Sequence, residues 1–194
     1  MKAKIKRFIA PVLITLICAL VALLPHSLLE QLIFERSTIL NGEAWRLLTA
    51  NLLHSNGYHL LLNMGGLWVI WYFYYDLCQP KWHPLLVILT MLGTTSLLLA
   101  FSPEMQRYVG LSGALHGIIV TFAMIDFRYN RAISIAVLIA VAGKLTFEQV
   151  YGGSASLESL INARVAVDSH LWGALSGAII APLMIKLNKD ESSQ

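Results

Sequence analysis

The chain alternates between long apolar segments and short polar connections. Six apolar segments are each close to the ~20 residues with which an α-helix crosses a bilayer. They comprise residues 8–24, 58–75, 84–101, 110–127, 132–150 and 165–187. Because the bilayer interior offers no partner for backbone hydrogen bonds, all six are predicted to be helices. The pattern therefore predicts an all-α membrane protein, with a bundle of six transmembrane helices in one domain over residues 1–194.

The connection between the first two segments, residues 25–57, is much longer than the others. It contains an amphipathic stretch at 28–34 and the cluster Glu43-Ala44-Trp45-Arg46. Segments of this kind lie in the membrane interface, where aromatic and basic side chains anchor them. We therefore expect this connection to lie along the membrane surface, with Trp45 and Arg46 as anchors.

The first apolar segment follows a basic stretch, as the hydrophobic part of a signal peptide also does. The basic residues are Lys2, Lys4, Lys6 and Arg7. No small-x-small cleavage site follows, and the apolar run ends at Leu24-Pro25-His26. The segment is therefore predicted to be a retained first span.

Composition supports a membrane protein and excludes several other classes. Hydrophobic residues make up 57% of the chain and charged residues 13%, and that charged share is about half the usual one. No basic run interleaved with aromatic residues is present, so nucleic acid is not an expected partner. Cys18 and Cys78 show neither a metal spacing nor a disulfide framework. We predict no metal and no other cofactor, and we expect the lipid bilayer to surround the protein.

Lysine and arginine predict the orientation, because cytoplasmic loops carry an excess of these residues. With the N-terminus in the cytoplasm, the inner segments hold more of them than the outer segments. The inner residues are Lys2, Lys4, Lys6, Arg7, Lys81, Arg128, Arg131, Lys186 and Lys189, and the outer residues are Arg36, Arg46, Arg107 and Arg164. Both termini are therefore predicted to be cytoplasmic.

Polar residues inside the predicted spans are costly and indicate a functional site. The second span carries His59 and Asn63, and the fourth carries Ser112 and His116. The members of each pair are four residues apart and share a helix face. The sixth span carries His170. In the predicted topology these spans begin at the outer side, so all five residues should lie at one depth near the outer surface.

A serine and a histidine at one depth suit acyl transfer, because a serine hydroxyl is a weak nucleophile until a base takes its proton. His170 would take the proton of Ser112 and later return it to the leaving amine. His59, Asn63 and the backbone N–H of Ser112 are candidate donors to the oxyanion. Close helix contact needs small residues. The two spans carry such pairs, Gly113 with Gly117 and Gly173 with Gly177.

Each of these signals also has a purely structural interpretation. A Gly-Leu-Ser-Gly turn at 110–113 is typical of packing or capping, and a histidine near the membrane surface is typical of an interfacial residue. Asn63 is a suitable contact between helices. The shared depth does not distinguish hydrolysis from transport. A small transporter would call for broken helices near the midplane or an internal repeat, and the sequence has neither.

Four motifs, in order along the chain, resemble those of the rhomboid proteases, which are intramembrane serine proteases. The resemblance covers essentially the whole chain. The motifs are Trp45-Arg46 in the long loop, His54-x4-His59-x3-Asn63 in the second span, Gly110-Leu111-Ser112-Gly113 at the fourth and His170-x-x-Gly173 in the sixth.

The resemblance implies a serine endopeptidase with a dyad of Ser112 and His170, without a third acid, in a water-filled cavity on the outer side. It implies that the histidine and asparagine of the second span assist the oxyanion. Asp168 is then expected to be a solvated acid favoured by the helix dipole. The other residues expected around the site are Gly110, which supports the transition state, and His116, His54 and Arg46 behind the reacting groups.

His116 departs from the usual rhomboid pattern, in which an aromatic residue four positions after the nucleophile stacks on the catalytic histidine. His116 is expected to stack or to form a hydrogen bond instead. The string Ser-Gly-x-Leu-His-Gly at 112–117 resembles the bacterial subgroup called rhombosortases. That resemblance implies secreted substrates that end in a Gly-Gly motif, an apolar helix and a basic tail.

Cleavage of such anchors would occur near the outer face of the bacterial inner membrane, with the active site towards the periplasm. The glycines would let the substrate helix unwind into the site. Hydrolysis and transfer of the new C-terminus to another nucleophile both stay open. The alternatives are a generic rhomboid protease with other single-span substrates and a non-catalytic rhomboid-like protein that binds helices.

The fifth span carries two charged residues, Lys144 and Glu148, one turn apart. One interpretation is a gate or a contact for the substrate tail. The other is an intrahelical ion pair, or two side chains that extend to the membrane surface.

Overall fold

The protein, represented by a computed structural model, is described over residues 6–192. Each of the six apolar segments forms a helix there. Two short strands, β1 (Phe34–Glu35) and β2 (Arg107–Tyr108), pair antiparallel. In chain order the helices are α1 (Ile9–Val21), α2 (His26–Leu29), α3 (Arg36–Leu40), α4 (Arg46–Thr49), α5 (Gly57–Tyr74), α6 (His83–Phe101), α7 (Ser112–Asp126), α8 (Arg131–Tyr151), α9 (Ala155–Ile161) and α10 (Val167–Ser192).

The helix ends differ from the predicted ones for local reasons. α1 ends at Val21, short of the predicted residue 24, because Pro25 disfavours the helical conformation just before it. α7 begins at Ser112, because Gly110 has a φ of 127° that no helix contains. Lys2 and Lys4, which the orientation argument counted, lie outside the described residues.

By length and composition, three helices of the described residues can cross a membrane. They are Pro80–Phe101, Arg131–Tyr151 and Val167–Lys189, whereas α1 and α7 are apolar but shorter. α7 lies inside the bundle, where it contacts α5, α6, α8 and α10. The outer helices expose large apolar side chains such as Leu20 and Ile139. Such continuous apolar exposure is typical of a surface that faces lipid.

The contact between α7 and α10 is built on glycine. A Cβ at Gly173 would overlap the Gly113 carbonyl, and a Cβ at Gly177 would overlap the Gly117 carbonyl. The Thr121 hydroxyl lies 2.9 Å from the carbonyl oxygens of both Gly117 and Gly177. The two backbones therefore touch, as the small-residue spacing predicts. We call this contact the glycine seam.

The long first connection is folded into short helices. It contains α2, α3, α4 and a 3₁₀ turn at Ala50–Leu52, and Phe34 in β1 is fully buried. The prediction that Arg46 is an interfacial anchor is wrong. Arg46 is buried, and its guanidinium donates to the carbonyls of Glu30 and Ile33 at 2.7 and 2.8 Å and to the Glu43 carboxylate at 2.6 Å. Its contacts hold the loop together, because buried polar groups need partners.

Trp45 remains on the surface, as expected for an anchor. Its side chain is exposed, and its indole N–H donates to the Gln31 carbonyl at 3.2 Å. Both cysteines are free and buried. Cys78 lies between α5 and α6, and burial raises the pKa of its thiol to about 11. These two thiols are therefore packing residues.

Candidate active site

Ser112 and His170 come together across the glycine seam. Ser112 is the first residue of α7, and His170 lies in the first turn of α10. The distance from His170 Nε2 to Ser112 Oγ is 3.0 Å. A serine side chain is short, so this distance requires the close backbone approach that Gly113 and Gly173 permit. The geometry is that of a hydroxyl within hydrogen-bond reach of a base.

The turn before Ser112 is fixed by Gly110. Its positive φ of 127° favours glycine, and a Cβ there would lie 2.9 Å from the His59 ring. The Gly110 N–H donates to the Ala50 carbonyl at 3.1 Å. Because that N–H is already used, Gly110 supports the site through its shape and not as an oxyanion donor.

Tyr108 holds the same turn from the other side. Its buried hydroxyl donates to the Gly110 carbonyl. Burial, the main cause, raises the pKa of Tyr108 to about 12. The phenol therefore stays protonated and keeps donating at any physiological pH. Tyr108 is not among the predicted site residues, because no sequence pattern distinguishes it from other loop tyrosines.

The His59 ring points a nitrogen at Gly110. Its other nitrogen, Nδ1, lies 3.3 Å from the backbone N of Ser55 and 3.0 Å from the Ser55 hydroxyl. A backbone N–H can only donate, so Nδ1 accepts and the neutral ring carries its proton on Nε2. Nε2 is one of the two His59 atoms nearest to the Gly110 position. His59 therefore presents an N–H donor beside the start of α7.

Asn63 lies one turn further along α5 and is buried. Its amide nitrogen donates to the His59 carbonyl at 3.1 Å. An amide nitrogen has two hydrogens, so one is left for another acceptor. His59, Asn63, Ser112 and His170 line the same cavity of about 1100 Å³. The sequence therefore identified four residues that the structure brings together.

His116 lies against His170 as a parallel ring. The ring centroids are 4.3 Å apart and the planes differ by 22°. Its Nδ1 lies 2.7 Å from the Ser112 carbonyl, which can only accept, so this nitrogen donates. The structure shows both contacts that the sequence left as alternatives, stacking and a hydrogen bond.

His54 contacts the site through His59. The two rings meet edge to face with centroids 5.0 Å apart. Burial, assisted by the charge of His59, lowers the pKa of His54 to about 3. His54 is therefore neutral at physiological pH and supports the His59 ring by packing. Arg46, expected near the reacting groups, instead braces the first loop through Glu30, Ile33 and Glu43.

Glu148 contacts His170, and the sequence did not predict this contact. Its Oε1 lies 2.6 Å from Lys144 Nζ, which is the predicted intrahelical ion pair. Its Oε2 lies 2.8 Å from His170 Nδ1. The sequence carries part of this signal, because the outer end of the fifth span and the start of the sixth share one depth, but depth alone does not give the rotation of the helix about its axis. Asp168, as expected, is not the acid beside His170, but it is not simply solvated, since it accepts from the Ser102 hydroxyl at 2.5 Å.

α9 and its flanking residues cover one side of the cavity. Leu157 and Ile161 are among the lining residues. Two hydrogen bonds join α9 to the start of α5. The Ser55 hydroxyl donates to the Ile161 carbonyl at 2.7 Å, and the Asn56 amide donates to the Leu160 carbonyl at 2.9 Å.

Comparison with known proteins gives one family. A family model described as the Rhomboid domain matches residues 41–187, which includes every residue of the site. No curated protein matches the chain. The match covers most of the chain. It agrees with the presence of helices that are long and apolar enough to cross a membrane. The chain is therefore a multi-pass membrane protein that belongs to the rhomboid family, whose members are generally intramembrane serine proteases.

Proposed function

We propose that this protein is an intramembrane serine endopeptidase in which Ser112 is the nucleophile and His170 its base. The observation that carries the proposal is the 3.0 Å distance between Ser112 Oγ and His170 Nε2, at the wall of a cavity large enough for an extended peptide. Family membership supports the same reaction class. In this proposal the chain acts as one domain.

The reaction proceeds by acyl transfer. His170 Nε2 takes the proton of Ser112 as Oγ attacks the scissile carbonyl carbon, and the carbonyl oxygen becomes the oxyanion. His170 then gives that proton to the leaving amine as the C–N bond breaks. Water, or a second nucleophile, attacks the acyl-enzyme and restores the serine hydroxyl.

Three kinds of donor surround the place where the oxyanion forms. His59 offers its Nε2–H and Asn63 offers its second amide hydrogen, as their other hydrogen bonds indicate. The first backbone N–H groups of α7 have no partner within the helix. Loss of one such donor typically lowers the rate about 10²- to 10³-fold. The charge of the helix N-terminus acts in the same direction.

The membrane arrangement is part of the proposal. All six apolar helices cross the membrane, both termini are cytoplasmic, and the site faces the outer side, which is the periplasm in a bacterial inner membrane. The excess of lysine and arginine on the inner segments supports this orientation. The exposed apolar faces of α1, α5 and α8 support contact with lipid.

The proposed substrates are secreted proteins anchored by a C-terminal tail of the Gly-Gly type. His116, which stacks on His170, distinguishes the site from common rhomboids and supports the rhombosortase subgroup. A helix hides its carbonyl groups from a protease. Glycines reduce helix stability by about 1 kcal/mol each relative to alanine, so a Gly-Gly segment can enter the cavity in extended form.

The test is co-expression with a tagged reporter that ends in Gly-Gly, an apolar helix and a basic tail. We expect the wild type to release the reporter, and Ser112→Ala and His170→Ala to release none. The matched controls are Ser154→Ala and His26→Ala, which remove an exposed serine and an exposed histidine elsewhere. Release that persists in Ser112→Ala would refute the proposed nucleophile.

A second reporter separates the substrate proposal from the reaction proposal. Replacing Gly-Gly by Leu-Leu should abolish release if the tail glycines are recognised. Equal release of both reporters would indicate a generic rhomboid protease. Absence of release from every single-span reporter would favour a rhomboid-like protein that binds helices without cleaving them.

A further inference from the structure

A buried carboxylate lies on the far side of the His170 ring from Ser112. Glu148 Oε2 is 2.8 Å from His170 Nδ1, and Ser112 Oγ is 3.0 Å from His170 Nε2. The side chains of Glu148 and His170 are only 11% and 7% exposed. The three side chains come from α8, α10 and α7. They form a continuous line from carboxylate to imidazole to hydroxyl.

The carboxylate determines which nitrogen of His170 carries the proton. An ionised carboxylate only accepts hydrogen bonds, so Nδ1 must donate to Glu148. The neutral ring then has its lone pair on Nε2, which is the atom beside Ser112 Oγ. That tautomer is the one that can remove the serine proton. A hydrogen bond on one ring nitrogen thus prepares the other for the reaction.

Lys144 contacts the Glu148 carboxylate and also competes with it for the His170 ring. Its ammonium lies 2.6 Å from Glu148 Oε1 and 3.4 Å from His170 Nδ1. A hydrogen bond from Lys144 to Nδ1 would require the other tautomer, in which Nε2 is protonated. The contact with the carboxylate is shorter, and it joins two side chains that are both buried, whereas the Lys144 side chain is 47% exposed. Glu148 therefore determines the tautomer.

We infer that Glu148 is a positioning residue that extends Ser112 and His170 to a Ser–His–Glu relay. The inference rests on the proposed function. Glu148 takes no proton in the reaction. The proton moves from Ser112 Oγ to His170 Nε2 and then to the leaving amine, while Nδ1–H stays on the ring. The carboxylate orients the imidazole and stabilises it while it carries a positive charge, as the acid of other serine protease triads does.

Several charged or titratable groups face His170 and contribute to its pH behaviour. Glu148 and Lys144 approach from α8. His116 from α7 stacks on the ring, and His59 from α5 lines the same cavity. The test therefore compares variants that change one charge at a time.

The experiment measures kcat/KM against pH for purified protein in detergent, with the Gly-Gly reporter as substrate. Glu148→Gln keeps the shape and an acceptor oxygen but removes the charge. We expect kcat/KM to fall about 10- to 100-fold. The variant removes an anion beside the imidazole, so the acid limb of the rate profile should move to lower pH. Glu148→Asp should restore part of the rate.

Lys144→Met should move the acid limb in the opposite direction, to higher pH, because it removes a cation beside the imidazole. Gln149→Ala is the matched control, since it changes an exposed neighbour on the same helix and should leave rate and pH profile unchanged. Glu148→Gln with the rate and acid limb of the wild type would overturn the inference. A Glu148→Gln rate that falls equally at every pH would assign Glu148 a purely structural role.

A measurement on the wild type reports the tautomer of His170 directly. In protein labelled with ¹⁵N-histidine, neutral His170 should carry its proton on Nδ1, and its signals can be assigned by their loss in His170→Ala. A proton on Nε2 would overturn the inference. Ser112→Ala separates the two proposals, because release that persists there refutes Ser112 as the nucleophile. Loss of release there with normal Glu148→Gln kinetics refutes only the role of Glu148.

Discussion

The proposed nucleophile and its proposed base are held very differently from the carboxylate behind them. Ser112 and His170 lie at the ends of two helices whose backbones touch along the glycine seam, where added methyl groups would overlap carbonyl groups. Glu148 lies on α8, at the edge of the bundle. α8 exposes Ile133 and Ile139 over more than half of their surface, and its buried residues are Ser134, Leu145 and Glu148.

The glycine seam and α8 position their side chains in two different ways. Along the glycine seam, the main chain sets the positions of Ser112 and His170. One added methyl group would displace the main chain, because protein interiors are close-packed. On α8, position follows from a few side-chain contacts near one helix end. The seam should therefore tolerate almost no change, whereas α8 should tolerate many changes that leave Glu148 in place.

The largest effect is expected from Gly173→Ala. The new Cβ would overlap the Gly113 carbonyl, which is backbone and cannot rotate away. Overpacking costs about 1–3 kcal/mol and occasionally more, and here it would also separate Ser112 from His170. We expect a lower melting temperature in detergent and loss of reporter release. Gly143→Ala on α8 is the matched control, since nothing lies within 4 Å of its Cβ. Wild-type melting temperature and reporter release in Gly173→Ala would show that the glycine seam is no less tolerant of change than α8.

The second-largest effect is expected from Gly110→Ala, in the turn before Ser112. It tests whether this turn is as intolerant of change as the glycine seam. Gly110→Ala combines a positive φ with a Cβ at 2.9 Å from the His59 ring. Gly42→Ala carries a positive φ of 109° but has open space around the Cβ. Strained conformations cost about 1–3 kcal/mol, so both variants should lose stability. Only Gly110→Ala should also lower kcat, by about 10- to 100-fold, and equal kcat in the two would disprove the His59 contact.

The third effect concerns His116, whose ring lies against His170. His116→Phe keeps a ring for stacking and loses the hydrogen bond to the Ser112 carbonyl, whereas His116→Ala loses both. A stacked ring pair contributes about 0.5–1.5 kcal/mol. We therefore expect kcat/KM to fall about 2- to 10-fold further in the alanine variant than in the phenylalanine variant. Equal kinetics of the two would show that stacking has no part in holding His170.

The smallest effect on the rate is expected at His54, which touches neither region. His54→Phe should change kcat/KM by less than about twofold, because the His54 ring contacts His59 edge to face and a phenylalanine ring can keep that contact. Its folded pKa of about 3 lies below the ordinary 6.5. Protonation therefore favours the unfolded chain, and the wild type loses stability as pH falls from about 6.5 towards 3.

His54→Phe removes that loss. At pH 5 the difference from the wild type amounts to no more than about 2 kcal/mol. The melting temperature of the variant should fall less between pH 7 and pH 5 than that of the wild type. Parallel melting curves at both pH values would show that His54 is not buried as a neutral ring.

The sequence predicts the helices and most of the site, because those features follow from local patterns. Apolar runs give the six helices, and one predicted depth brings His59, Asn63, Ser112 and His170 together. The contact between Glu148 and His170 depends on how α8 is rotated about its axis. A helix that is apolar on nearly every side gives little information on that rotation. The predicted location of Arg46 was wrong for a related reason. An arginine beside a tryptophan in a loop has the same sequence pattern whether its guanidinium is buried with three acceptors or anchors the loop at a surface.

The glycine seam has a consequence for variation among related enzymes and for engineering. Because the main chain of α7 and α10 sets the distance between hydroxyl and imidazole, the surrounding elements can change without altering that distance. α8 and α9 line the cavity from outside the seam, so an exchange of residues 131–161 between family members is a reasonable route to a new substrate preference. The reacting pair would be inherited unchanged, provided that the donor segment carries a carboxylate at the position of Glu148.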